Sequence, residues 1–248
     1  MILVTNDDGV GAGGLLALRK VLGTLSEVVV VAPDREQSAT SHSLTLNHPL
    51  RVKEIEDSVL SLDGTPTDCV LLAFNGLLKE KPRLVVAGIN HGPNLGEDVS
   101  YSGTVAAAIE GTLQGAPSFA ISLAGKPPYS FEAASSFALK LAGRILEEGM
   151  DCQTLLNVNV PNLPGARISR VKVTKLGKRV YRDVLIKKVD PRGRAYYWIG
   201  GNEPSWRPAE GQTDFMAIEE GAISVTPLQL DMTDYARMSE AEGWDLSP

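Results

Sequence analysis

Short, β-branched apolar runs alternate with helically spaced segments through the first two-thirds of the chain. The runs at 2–5, 28–32, 84–88, 119–123 and 155–160 are dominated by Val, Ile, Leu, Ala and Phe. Strands of that kind are covered on both faces, as in parallel sheets. Between them apolar positions recur at helical spacing over 15–25, 67–79, 104–114 and 131–148, with Asp68 and Thr104 placed near the helix starts. This alternation predicts a doubly wound, Rossmann-like α/β fold with a mostly parallel sheet. After Pro161 the period changes to two, in Arg170-Val171-Lys172-Val173-Thr174 and Ala222-Ile223-Ser224-Val225-Thr226. Period two predicts antiparallel hairpins. The expected organisation is one α/β domain over 1–248. Its core sheet and helices occupy 1–161, and a hairpin arm, a return strand and a C-terminal tail occupy 162–248.

Length and charge narrow the function classes. A chain of 248 residues accommodates one large α/β domain but hardly two. No segment approaches the roughly 18 consecutive apolar residues of a membrane span. Met1 runs straight into the first apolar strand without the features of an export signal, and Cys69 and Cys152 have neither metal-ligand spacing nor a disulfide framework. A soluble cytoplasmic protein is expected. The net charge of -6 argues against general nucleic-acid binding. The exception is the stretch 167–194, where eleven Lys or Arg stand against Asp183 and Asp190, a local +9. Placed on the arm, that stretch defines a rival reading as a polyanion- or nucleic-acid-binding protein with a structural metal. The preferred account is a solvated hairpin facing an acidic surface of a partner subunit.

In open α/β sheets ligands sit beyond the carboxyl ends of the strands. The first strand runs into Asn6-Asp7-Asp8-Gly9, the second into Pro33-Asp34-Arg35-Glu36-Gln37-Ser38, and the one at 84–88 into Ile89-Asn90-His91-Gly92. If the strands are parallel these ends share one edge, where two carboxylates, an amide and a hydroxyl can meet around one cation. Hard oxygen donors suit Mg²⁺, Mn²⁺ or Ca²⁺ better than zinc. A turn accounts for Asp-Gly. It does not account for two adjacent carboxylates at the edge of a buried sheet, a costly pair without a cation.

Tyr101-Ser102-Gly103-Thr104 opens the helix at 104–114. A Gly-containing turn there exposes backbone N–H groups and the positive end of the helix dipole, which favours a phosphate. A simple helix cap explains Ser102 or Thr104 alone. A competing motif is Gly9-Val10-Gly11-Ala12-Gly13-Gly14, with Asp34 beyond it, which has the form of a dinucleotide fingerprint. The NAD reading sets Asp7 and Asp8 beside a pyrophosphate, which disfavours it.

These blocks together resemble the SurE family, survival protein E, phosphatases that hydrolyse nucleoside monophosphates. The similarity is carried by Asn6-Asp7-Asp8-Gly9, by Val31-Ala32-Pro33-Asp34-Arg35 with Ser38 and Ser43-Leu44-Thr45, and by Gly64-Thr65-Pro66-Thr67-Asp68. It continues through Gly88-Ile89-Asn90-His91-Gly92-Pro93-Asn94-Leu95-Gly96, Tyr101-Ser102-Gly103-Thr104-Val105, Thr213-Asp214 and Val225-Thr226-Pro227-Leu228. The resemblance implies that Asp7, Asp8, Ser38 and Asn90 ligate one divalent cation, Mg²⁺ or Mn²⁺. It implies that Asn94, Ser102, Gly103 and Thr104 line a phosphate site, and that Asp7, Asp8, Asn94 and Ser102 carry the catalysis. Expected substrates are nucleoside 5'- and 3'-monophosphates, with short polyphosphate as a further candidate. The expected assembly is a homodimer or homotetramer built through the hairpin and tail. Gly11 and Gly13 depart from the family pattern, which carries bulkier residues or proline there.

The expected chemistry is attack on phosphorus by a water acidified at the cation, or by Asp8 itself. His91, His42 and His48 are read as solvent-facing loop residues. Tyr101, Tyr196, Tyr197 and Trp198 are read as interface or core in preference to base-stacking groups.

Overall fold

The five apolar runs become the central strands of a sheet that is nine-stranded among the described residues. The computed structural model describes residues 1–151, 153–168, 170–180, 185–199, 205–207 and 210–244. Cys152, Arg182 and Asp183 lie outside the described residues. In chain order the elements are β1 (Ile2–Thr5), α1 (Gly13–Leu22), β2 (Val28–Pro33), β3 (Val52–Glu56), β4 (Val59–Leu62), α2 (Pro66–Leu72), β5 (Leu84–His91), α3 (Gly103–Leu113), β6 (Ser118–Ala124), α4 (Glu132–Glu148) and β7 (Thr154–Pro161). Then follow β8 (Val171–Val173), β9 (Arg179–Val180), β10 (Leu185–Val189), β11 (Ala195–Ile199), β12 (Ser205–Trp206), α5 (Asp214–Glu219), β13 (Ile223–Gln229) and α6 (Tyr235–Glu242).

The sheet order is β3-β4-β2-β1-β5-β6-β7-β13-β8. From β4 to β7 every neighbouring pair is parallel. From β1 the chain builds outward through β2 to β4, then returns to the other side of β1 as β5. The crevice between β1 and β5 is therefore the topological switch point, where open sheets of this type hold ligands.

Alternation along each strand divides the core into two layers. Ile2 and Val4 face the side where Leu15, Leu18 and Leu22 of α1 meet Ala134, Ala138 and Ala142 of α4. Leu3 faces the opposite side, with Cys69 and Val70 of α2 and Val105, Ala107 and Ala108 of α3. The small residues of α3 let it lie close to the sheet, which matters for the site at its N-terminus. No helix among the described residues is long and apolar enough to cross a membrane.

Several expectations need correction. Arg170–Thr174 and 222–226 do not form a hairpin together. β13 returns antiparallel to β7, and β8 then pairs parallel to β13. Period two identifies a strand with one wet face and is silent on its partner's direction. The antiparallel arm is β10 with β11, whose residues are exposed on both faces. The helix expected over 67–79 stops at Leu72 and continues as a wider π-type turn over Ala73–Leu77. Its start is a capping box, Thr65 with Asp68, and Pro66 sits in the first turn. The pair β3 and β4, and the helices α5 and α6, were not expected from the pattern.

Gly14 shows how tightly α1 is seated. A Cβ there would stand 2.0 Å from the Ile89 carbonyl oxygen of β5. At Gly11 a Cβ would meet nothing within 4 Å. Gly14→Ala is expected to lower the free energy of unfolding by about 1–3 kcal/mol through displacement of α1. Gly11→Ala should not destabilise at all. Urea unfolding of the two variants side by side checks this, and equal midpoints would contradict the close approach.

Candidate active site

Asp7 ends β1 and is gripped from two sides. Its carbonyl oxygen accepts from the Gln37 N–H at 2.7 Å, which brings the loop after β2 to the site. Its carboxylate is bonded by the first turn of α3. The Thr104 N–H donates to Oδ2 at 3.1 Å, and the Thr104 hydroxyl donates to Oδ1. Gly103 permits this approach, because a Cβ at 103 would lie 2.9 Å from Asp7 Cβ and 3.0 Å from its Oδ2. The positive end of the α3 dipole thus points at a carboxylate.

That help does not offset the burial. Asp7 is 5% exposed, and its pKa is pushed up to about 6, by burial first, with the neighbouring Asp8 charge acting the same way and the Thr104 hydroxyl opposing both. Burial also raises Asp8, against the nearby His91. Neither carboxylate pairs with a Lys or Arg among the described residues. A buried carboxylate next to a partly buried one, with only the His91 ring beside the second, is a site whose charge favours a cation.

Ser38 is exposed, and its hydroxyl donates to Glu36 Oε1 at 2.6 Å, leaving its lone pairs free. The loop that carries it is fastened at several points. The Ser41 N–H donates to the Tyr101 carbonyl at 3.1 Å, the Thr45 N–H to Asp68 Oδ1 at 3.0 Å, and the Thr65 hydroxyl to the Ser43 carbonyl at 2.8 Å. His42 is an exposed loop histidine, as expected, but it is also tied to α3. Its Nε2 lies 2.9 Å from Glu110 Oε2 on α3, and Glu110 is lowered in pKa by bonds from His42 and Gln114 despite its burial. His48 is exposed, as expected.

Asn90 lies at the end of β5, where the pairing with β6 shifts register between Gly88 and Asn90. Such a bulge re-aims the side chains after it. Its Nδ2 donates to the Gly92 carbonyl at 3.0 Å, so its carbonyl oxygen is the end left for a ligand. His91, expected to face solvent, is half-buried and turned inward: its N–H donates to Asp8 Oδ2 at 3.2 Å, and its Nδ1 lies 3.3 Å from Oδ1.

Asn94 is held by a set of amides that pattern reading missed. Its N–H donates to Asn159 Oδ1 at 2.8 Å, and its Nδ2 donates to the Ser122 hydroxyl at 2.8 Å. Its carbonyl accepts from Asn157 at 2.8 Å and from Asn159 at 3.0 Å. The available signal was Asn157-Val158-Asn159 inside an apolar strand: positions two apart put both carboxamides on one buried face. Ser102 caps α3, its Oγ accepting from the Val105 N–H at 3.1 Å. Thr104 is fully buried, and its hydroxyl supports the Asp7 carboxylate. Asp214, the first residue of α5, accepts from the N–H groups of Gly96 in that loop, of Gly177 and of Phe215, and ties the base of the arm to the loop.

Several cations of the basic stretch have acidic neighbours within the chain. Arg170 and Lys172 pair with Glu220, Arg179 with Asp98, and Arg194 with Asp190. Within the glycine row after Asp8, packing requires glycine at Gly14 but not at Gly11, and Asp34 is exposed and pairs with Arg35. Tyr101, Tyr196, Tyr197 and Trp198 are exposed.

The fold and the site define a doubly wound α/β protein with an oxygen-rich acidic site at its switch point. The chain belongs to the SurE family: the family model Survival protein SurE matches residues 2–183. It is 55% identical over 247 residues to the 5'-nucleotidase SurE of Geobacter sulfurreducens, covering 99% of this chain and 94% of that one. It is 51% identical over 247 residues to the 5'-nucleotidase SurE of Geotalea uraniireducens, covering 99% of each. The crystal structure of the SurE protein from Aquifex aeolicus, 43% identical, superposes with a TM-score of 0.86 over 97% of this chain and 98% of that one.

A raised carboxylate pKa has a defined sign in stability. Between pH 4 and 6 the folded protein holds a proton on Asp7 that the unfolded chain has released, so stability falls as pH rises through that window. Urea unfolding in chelator should therefore show wild type losing stability relative to Asp7→Ser from pH 4 to pH 6.5, by about 2–3 kcal/mol. A pH-independent difference between the two proteins would contradict it.

Proposed function

We propose that this chain is a metal-dependent phosphomonoesterase that hydrolyses nucleoside 5'-monophosphates, and 3'-monophosphates at the same site, to nucleoside and phosphate. The observation that supports it best is the meeting of Asp7 with the N-terminus of α3. It sets an acidic pair, Asp7 buried and Asp8 partly so, beside a capped helix end in one crevice. Family membership and the 5'-nucleotidase activity in the names of its relatives point the same way.

The proposed cation site is Asp7, Asp8, Ser38 and Asn90. The donor set fits: two carboxylates with no Lys or Arg partner among the described residues, a hydroxyl with free lone pairs and an amide carbonyl. No three His, Cys, Asp or Glu side chains gather into a metal site among the described residues. A cation here rests on two charges and neutral oxygens, which suits a hydrated Mg²⁺ or Mn²⁺. When bound, it supplies Lewis acidity to the phosphoryl oxygens and to water.

The rest follows from the chain's own groups. Ser102 accepts the Val105 N–H and keeps its own O–H to donate to a phosphate oxygen. The Gly103 N–H remains among the first-turn donors, since those of Thr104 and Val105 are taken. Asn94, fixed by Ser122, Asn157 and Asn159, presents its amide at the same edge. Thr104 acts through Asp7. Donors held rigidly before the substrate arrives stabilise the charge that builds on phosphoryl oxygens without reorganising. The nucleophile is water, with Asp8 as the competing candidate; a trapped phospho-enzyme would select Asp8.

The same reading extends to assembly. Leu185, Val189, Trp198 and Ile199 are exposed on the β10–β11 hairpin, an apolar surface that supports a homodimer or homotetramer formed through the arm.

Phosphate release from a panel of nucleoside monophosphates is expected to need Mg²⁺ or Mn²⁺ and to stop in chelator. In Asp8→Asn it should fall by about 10²-fold or more. Release that is unaffected by chelator and by Asp8→Asn would overturn the proposal.

A further inference from the structure

Among the described residues His91 alone hydrogen-bonds the Asp8 carboxylate, through its backbone, and it also brings its ring to ion-pair distance. The contact is double, with the backbone N–H on Oδ2 at 3.2 Å and the ring Nδ1 3.3 Å from Oδ1. A carboxylate offers about four lone-pair directions. One contact on each oxygen fixes the plane of the group and leaves a lone pair on each oxygen for a cation.

The imidazole is itself held. It lies nearly parallel to Tyr129, with ring centres 5.2 Å apart and an angle of 7°, and is tilted at 37° against Phe131 at 5.4 Å. Phe131 in turn fills the space over the start of α1. A Cβ on Gly13 would come within 3.3 Å of Phe131 Cε2, and one on Gly14 within 3.2 Å of Cε1. The absence of a side chain at Gly13, one of the departures from the family pattern, leaves room for the ring that braces His91.

We infer that His91 is a positioning residue: packed against Tyr129 and Phe131, which also touch each other, it sets the orientation of the Asp8 carboxylate toward the cation. The inference rests on the metal reading proposed above. His91 touches neither substrate nor cation in this account. It acts by removing rotational freedom from a ligand, as the partners of metal-bound carboxylates do.

Asn and Ala separate this role from packing. The Asn side-chain amide nitrogen stands about where Nδ1 stands and carries a donor; the backbone bond to Asp8 persists in every variant. Mn²⁺ binding to the substrate-free protein at one fixed pH, followed by calorimetry or by the magnetic resonance of free Mn²⁺, reads affinity without catalysis. His91→Ala should weaken binding by about tenfold or more, and His91→Asn should restore most of it. Tyr129→Phe should match wild type, and Tyr129→Ala, assayed under conditions where urea unfolding in chelator shows it folded, should lose affinity in the direction of His91→Ala. The inference is overturned if His91→Ala binds Mn²⁺ as wild type does, or if its loss is not relieved by Asn. Should wild type itself take up no Mn²⁺, the metal reading falls and this role falls with it. If wild type binds and only the His91 series is flat, the positioning role alone is wrong.

Discussion

A buried negative charge without a basic partner governs this molecule. Asp7 is enclosed by the sheet, the first turn of α3 and the loop after β2, and two bonds from Thr104 hold it ionisable without cancelling its burial. Asp8 follows directly and adds a like charge. In a protein of marginal stability, such a pair persists when something else makes use of it. The cation proposed here neutralises the pair, and the phosphate proposed beside it is drawn by the same cation and by the end of α3.

The rest of the structure delivers that arrangement. The switch point between β1 and β5 puts Asp7 and Asp8 opposite Asn90, and the Gln37 N–H on the Asp7 carbonyl brings Ser38 within the same neighbourhood. α3 reaches Asp7 only because residue 103 is glycine and because the face of the helix turned to the sheet is Val105, Ala107 and Ala108. Asn157, Asn159 and Ser122, three buried polar residues on two neighbouring strands, spend their hydrogen bonds on one residue, Asn94. Asn159 is bonded through both ends of its amide and Asn157 through its nitrogen, its Oδ1 having no partner among the described residues, and together they convert a loop residue into a fixed one. Local packing, strand order and the placement of chemistry are one problem in this fold.

The central parallel strands were legible because burial on both faces writes itself as an apolar run, and the helices because their spacing is periodic. Asp7, Asp8 and Asn90 were legible as strand-end residues in such a sheet. Ser38 was not, since a hydroxyl in an exposed loop gives no periodic signal; only the family resemblance singled it out. The parallel pairing of β8 with β13 was illegible because alternation carries no direction. The bond of Thr104 to Asp7 was illegible because the two are 97 residues apart in sequence. His91 was read as solvent-facing for the same reason: its partners Asp8, Tyr129 and Phe131 come from separate segments. Long-range partners decided the roles of both residues.

The central claim is that one divalent cation sits between Asp7, Asp8, Ser38 and Asn90. Crystals grown with Mn²⁺, measured for its anomalous scattering, test it most directly. The account predicts one strong peak in the crevice between β1 and β5, with carboxylate oxygens of Asp7 and Asp8 at about the 2.0–2.2 Å expected of a hard cation with oxygen ligands. A peak elsewhere, or none at saturating Mn²⁺, would contradict it.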